Sequence, residues 1–123
     1  EKGSTATSFD YRPYGTELAL CQRYYQLIGA GASGVTQSSG AITVGWVNRV
    51  EMRAAPTVAL YSTTLRIRQD GSASFTSSGS AIPDVSADQY GGWAVVNGFT
   101  GLTATRSAIT FPTVAAFTLS IEL

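Results

Sequence analysis

From Ile42 onward the chain alternates apolar and polar positions for twelve residues, with Ile42, Val44, Trp46, Val50 and Met52 on one side and Arg49, Glu51 and Arg53 on the other. A period of two marks a strand with one buried face. The pattern therefore predicts a strand over 42–53, followed by Pro56, which breaks it and restarts the chain in an extended conformation. Residues 115–123 alternate as cleanly, with Phe117, Leu119, Ile121 and Leu123 on one side, and predict a last strand with the chain ending inside its sheet. Shorter candidates lie at 57–61, 65–69, 72–76, 93–99 and 102–111. Between the second and third of these, Asp70-Gly71 is a hairpin signal, because a type I′ turn needs two residues that tolerate positive φ. Leu65, Ile67, Ala73 and Phe75 then face the core, and Arg66 and Arg68 face out.

One segment, 16–25, reads as helical, with Thr16 as N-cap, Glu17 in the first turn, and Leu18, Cys21 and Tyr25 on one stripe. The strand-like composition of 24–28 limits this helix to about two turns before a strand takes over. Gly29 to Gly34 reads as a mobile loop. A phosphate-cradling reading of it lacks both the following Lys-Ser/Thr and the following helix. Seven or eight short strands separated by Gly/Ser-rich turns, with no helices between them, predict an all-β fold: an antiparallel sandwich or jelly roll with one short N-terminal helix.

Composition narrows the chemistry. The 123 residues are 44% hydrophobic and 13% charged, enough for one domain with its own core. Ser, Thr and Gly number 14, 15 and 13, which suits strands and turns. There is no histidine and a single cysteine, Cys21, which argues against a zinc site and removes the imidazole base of ordinary Ser-His-Asp or Cys-His catalysis. No metal or cofactor is expected. Eight cations balance eight anions, and the seven arginines are scattered rather than clustered, so neither a nucleic acid nor an anionic membrane is an expected partner. No apolar run approaches the roughly 20 residues of a membrane span, and the N-terminus lacks the apolar region of a signal peptide. Opening at Glu1 without a methionine, the chain reads as the C-terminal portion of something longer. One cysteine leaves the redox compartment open.

Particular phrases add a resemblance. Residues 1–13, EKGSTATSFDYRP, resemble the linker that closes one β-sandwich module and leads into the next in tailed-phage fibres and other virion surface proteins. Residues 17–25, ELALCQRYY, are similar to the phrase that opens the C-terminal domain of those proteins. Val50 to Val58 is similar to their "MR-x-x-PTV" strand, and the Ile121-Glu122-Leu123 ending resembles their "AEL", with Ile121 a departure. The resemblance implies that residues 1–13 are a linker or the end of a preceding module and that residues 14–123 are a C-terminal β-sandwich domain. It further implies a homotrimer at the tip of a tail fibre or other virion appendage, made in the bacterial host cytoplasm and touching the host cell surface. These phrases read physically as structural: Cys21 as a small buried hydrophobe rather than a reactive thiol, Met52 as a core filler and Pro56 as a bend.

Function then falls to two variable segments. Residues 29–40 carry no aromatic or charged group. Residues 77–93 carry Asp84, Asp88, Gln89, Tyr90 and Trp93, and are the better candidate for glycan binding. A pyranose needs a flat apolar face for its C–H side and planar acceptors and amides for its hydroxyls. Tyr90 or Trp93 supplies the first, and Asp88 and Gln89 the second. The competing reading places Trp93 at the start of a strand as a core residue. Two function classes follow: a receptor-binding tip that engages host lipopolysaccharide, capsule or another surface glycan, and a structural trimerisation cap or head-fibre domain with no ligand of its own. An enzyme is not expected, because glycan cleavage needs two carboxylates about 5–10 Å apart and nothing in the sequence brings Asp84 to Asp88.

Overall fold

Ile42, Val44 and Trp46 do point inward together, as the alternation requires, and they form the middle of the hydrophobic core. The structure is a computed structural model that describes residues 12–29, 31–70, 74–110 and 116–121. Among the described residues, one helix, α1 (Tyr14–Gln22), is followed by ten strands: β1 (Tyr25–Ile28), β2 (Ser33–Thr36), β3 (Ala41–Val47), β4 (Thr57–Leu60), β5 (Arg66–Gln69), β6 (Ser74–Thr76), β7 (Asp84–Ala87), β8 (Gly91–Asn97), β9 (Ser107–Thr110) and β10 (Phe117–Ser120). All pairings are antiparallel. They build a seven-stranded sheet in the order β6-β5-β9-β2-β3-β8-β7 and a three-stranded sheet in the order β1-β10-β4. The fold is an antiparallel β-sandwich with one short helix.

Apolar side chains from both sheets fill the space between them. The large sheet supplies Ile42, Val44, Trp46, Ile67, Ala94, Val96 and Ala108; the small one supplies Ile28, Phe117 and Leu119. The rings of Trp46 and Phe117 stack across the gap, centroids 5.2 Å apart and planes at 29°. Met52, from a loop, fills the core as expected. Val96 is buried there too, so the apolar surface that β8 leaves uncovered is on its outer side, at half-buried Val95 and exposed Trp93.

Several expectations are corrected. β3 stops at Val47 rather than at residue 53, although burial goes on alternating through 48–53. Backbone groups there are taken by side chains and turns instead of a neighbouring strand: the Gln26 amide donates to the Val50 carbonyl at 2.7 Å and accepts from the Arg49 N–H at 3.0 Å. The expected strand over 102–111 is confined to β9, with Phe111 outside the described residues. The loop expected over 29–40 contains β2, whose Gly34 permits close strand approach: a Cβ there would lie 2.0 Å from the Thr43 carbonyl oxygen. The hairpin of β5 and β6 exists, with Ile67 opposite Phe75 and Arg68 opposite Ser74. This is one residue away from the register that a two-residue loop at 70–71 would set, and Gly71 lies outside the described residues.

Helix α1 starts two residues before Thr16. Pro13 stands at the N-cap, its carbonyl accepting from the N–H groups of Thr16 and Glu17, and no side chain caps the helix. Leu18, Cys21 and Tyr25 do border one hollow, but the stripe is exposed, and α1 buries none of its residues. Cys21 is therefore not the buried hydrophobe expected of it, because the helix sits against the sandwich edge rather than over its core. Residues 1–11, which carry most of the expected linker, and Leu123 of the expected last strand lie outside the described residues.

Two substitutions check this placement. Leu119→Asp puts an unpaired carboxylate at a fully buried position, costing several kcal/mol against a total stability of about 5–15 kcal/mol, and is expected to abolish the cooperative thermal transition. Cys21→Ser is expected to melt within a degree or two of the parent. A large destabilisation by Cys21→Ser would place the helix in the core after all.

Candidate functional site

The segment 77–93 is not one loop: its second half is a hairpin, β7 turning into β8 through Asp88-Gln89-Tyr90-Gly91. Asp88 closes the turn. Its Oδ1 accepts from the N–H groups of Tyr90 at 2.8 Å and Gly91 at 3.0 Å, while its own N–H donates to the Gly91 carbonyl at 2.8 Å. Aspartate suits this place because its short carboxylate reaches the backbone two residues on.

The turn is tied to residues 48–53 from both sides. The Asn48 N–H donates to the Tyr90 carbonyl at 2.7 Å, and the Met52 N–H to the Gln89 carbonyl at 2.9 Å. The Asn48 side-chain amide also donates to the Gln89 carbonyl at 2.9 Å, and the Gln89 amide donates to the Arg53 carbonyl at 3.3 Å. Two glycines let the strands close up here: a Cβ on Gly91 would lie 2.5 Å from the Trp46 carbonyl oxygen, and one on Gly92 2.5 Å from that of Ser86. The tip is held in place before any ligand arrives.

On this frame Tyr90 stands 61% exposed and Trp93 40% exposed. Trp93 belongs to a strand, as the competing reading held, but it is not a core residue. Ala94 and Val96 take the inner face of β8, so period two sends Trp93 to the outer face of the large sheet. Its cross-strand neighbours are Gly45 on β3 and Ser86 on β7. Both are small, which leaves the indole uncovered on either side. Val47, 81% exposed, lies one step along the same face of β3.

Asp88, Tyr90 and Trp93 line one open depression of about 440 Å³ together with Val47, Ser86, Ala87, Gly91 and Gly92. Three of the four expected ligand-binding residues are thus brought together. Gln89 is not among them: half-buried, it serves as an anchor of the turn. Asp84 and Asp88 do not form a close pair, since the four-residue separation along an extended strand amounts to about 13 Å. Among the described residues, no three His, Cys, Asp or Glu side chains gather where an ion would sit.

Sequence reasoning missed Val47, Ser86 and the opening at Gly45. Gly45 interrupts the outward positions of an alternating strand, and that interruption was the available signal. A Cβ at Gly45 would have only ordinary contacts, 3.8 Å to the Gly92 carbonyl oxygen and 4.0 Å to that of Ser33.

The two kinds of glycine predict opposite responses. Gly45→Ala is expected to be neutral or to stabilise by up to about 1 kcal/mol, because glycine within a strand costs roughly that much relative to alanine. Gly92→Ala must push strand backbones apart and is expected to lose about 1–3 kcal/mol. Urea denaturation of both variants measures the difference, and equal midpoints would contradict the close approach at Gly92.

Comparison with protein-family models finds no match, and comparison with curated proteins and with solved structures finds no significant match. What the site can do follows from its own residues.

Proposed function

We propose that this domain is a glycan-binding module: the trimeric, C-terminal receptor-binding tip of a phage tail fibre or similar virion appendage, engaging lipopolysaccharide, capsule or another host surface glycan. The observation that carries the binding reading is the exposed Trp93 indole between Gly45 and Ser86, beside Tyr90 on a pinned turn. A sugar ring stacks on such an uncovered aromatic face through its C–H side. Its hydroxyls meet the Asp88 Oδ2, which the turn leaves unused, and the Ser86 hydroxyl, which borders the same depression. A shallow, open site of this kind binds weakly, near a Kd of 1 mM, or about −4 kcal/mol. Three copies on one tip and several tips on one particle raise avidity by roughly 10²–10⁴ without any new contact. The fibre setting rests on the phrases at 1–13, 17–25 and 50–58.

A second reading, a trimerisation or capping domain with no ligand, draws on a different observation. Leu18, Cys21, Tyr25 and Leu27 form exposed apolar surface around α1, and a nine-residue helix with no buried residue is marginal alone. A neighbouring subunit would cover that surface.

Glycan-array screening followed by titration distinguishes the two. Tyr90→Ala and Trp93→Ala are each expected to lower affinity for any hit by tenfold or more with unchanged melting, and Gly45→Val to do the same by filling the space beside the indole. Binding that survives all three moves the site elsewhere, and no binding to glycans or host cells favours the cap. Light scattering at micromolar concentration is expected to give three times the 12.9 kDa chain mass; a clean monomer would remove the fibre-tip assembly.

A further inference from the structure

One row of cross-strand neighbours crosses the outer face of the large sheet: Ser86 on β7, Trp93 on β8, Gly45 on β3, Ser33 on β2, Ile109 on β9 and Arg68 on β5. Each pair stands directly opposite in the register, so the six positions form a line across the strands. The line is high at Trp93 and Ile109 and low between them. Both of those side chains are exposed, whereas Gly45 has no side chain and Ser33 only a hydroxymethyl group. Period two puts Val47 on one side of this low stretch and Val35, Thr43 and Val95 on the other. A shallow channel therefore runs from the indole to Ile109, with exposed Val47 and Val35 on opposite banks. At the far end, Ile109 and Arg68 border a further open depression of about 400 Å³.

We infer that the glycan held at Trp93 is an extended, linear chain lying across the strands, with one ring on Trp93 and a later ring on Ile109. This rests on the glycan reading above and names the class of ligand. Neighbouring strands stand about 4.8 Å apart, so the three steps from β8 to β9 separate the two platforms by roughly 14 Å, farther than one sugar ring reaches. Between them the chain passes over Gly45, where a side chain would lift it from the sheet, and over the Ser33 hydroxyl, which both donates and accepts. Ser86 and Arg68 offer polar groups beyond either platform. Along the row each apolar side chain has a small or polar neighbour on both sides. That interleaving matches a polymer that shows C–H faces and hydroxyls in turn. A single terminal sugar fills the Trp93 depression and leaves the rest of the row bare.

Glucose, N-acetylglucosamine and galacturonic acid, each as the single sugar and as linear fragments of two to six units, are the probes, read in a proton–nitrogen correlation spectrum. In a series that binds, the four-unit fragment is expected to bind tenfold or more tighter than the single sugar, with little further gain at six units. The fragment is expected to shift the backbone N–H signals of Ser33 and Ile109, and the single sugar only those around Trp93. Ile109→Ala and Ser33→Leu, both at exposed strand positions, are expected to weaken the four-unit fragment fivefold or more while leaving single-sugar affinity and melting temperature unchanged. Equal affinity for one and four units, or fragment binding indifferent to both variants, overturns the extended chain and leaves the Trp93 platform standing. Variants that change the mass in light scattering but not the fragment affinity would show a second copy of this chain on the face, and the inference falls. If no probe moves any signal near Trp93, the platform and the extended chain fall together.

Discussion

The contact between Trp46 and Phe117 is where the two sheets become one body. Trp46 sits on β3, an interior strand of the large sheet, and Phe117 on β10, the central strand of the small one. Each ring therefore rests in a layer with a hydrogen-bonded strand on both sides. Burying aromatics of this size contributes more per residue than any other choice here, and a stacked pair adds about 0.5–1.5 kcal/mol beyond the area it removes from water. The same strand also reaches the candidate site, because Val47, next to Trp46, points outward and lines the Trp93 depression. Core packing and site shape meet on β3.

Buried amides do the work that strand pairing does elsewhere. Gln26 is buried on β1 and satisfies both backbone groups that residues 49 and 50 present to it. Gln69 acts likewise at the far end of the large sheet, where its amide donates to the Thr36 hydroxyl at 3.1 Å and accepts from the Thr103 N–H at 3.3 Å. Losing either amide would strand buried polar groups, a penalty of about 1–3 kcal/mol for each group left without a partner. At the Gln26 end the consequence reaches the candidate site, because the segment it steadies holds, through Asn48 and Met52, the turn that presents Tyr90.

Which face each strand buries was legible in the sequence; which backbone pairs with which was not. Alternation correctly predicted Ile42, Val44, Trp46, Phe117 and Leu119 as core, and even Met52, which lies beyond the end of its strand. Period two reports burial, and burial continues through 48–53 although Gln26 and Asn48 have replaced the neighbouring strand. β2 and β7 escaped notice for a complementary reason. Ser-Gly-Val-Thr and Asp-Val-Ser-Ala carry too little apolar character to signal a strand, and both are made by their neighbours: β2 lies between β3 and β9, and β7 follows the edge of β8. Cys21 failed as a core residue because a helical stripe reveals which residues share a face, not whether anything covers it. At the site, Tyr90, Trp93 and Asp88 were legible as residue types in one segment. That Gln89 would turn away to Arg53 depended on contacts 36 residues distant.

Gly45 draws the energetic and functional arguments together. At Gly34, Gly91 and Gly92 the backbone of another strand occupies the space a Cβ would need, so packing alone accounts for each of them. At Gly45 a Cβ would meet only ordinary van der Waals contacts. A central strand is where β-branched and aromatic residues stabilise most and glycine least, so a glycine in β3 forgoes stability that nothing in the fold requires it to give up. What the missing side chain leaves is an outer face of β3 with no side chain directly across from Trp93. Sites depart from the rules of good strand design where function asks for something the fold does not. Of the glycines in these strands whose Cβ surroundings separate necessity from opportunity, Gly45 is the one whose absence of a side chain serves the surface rather than the sheet.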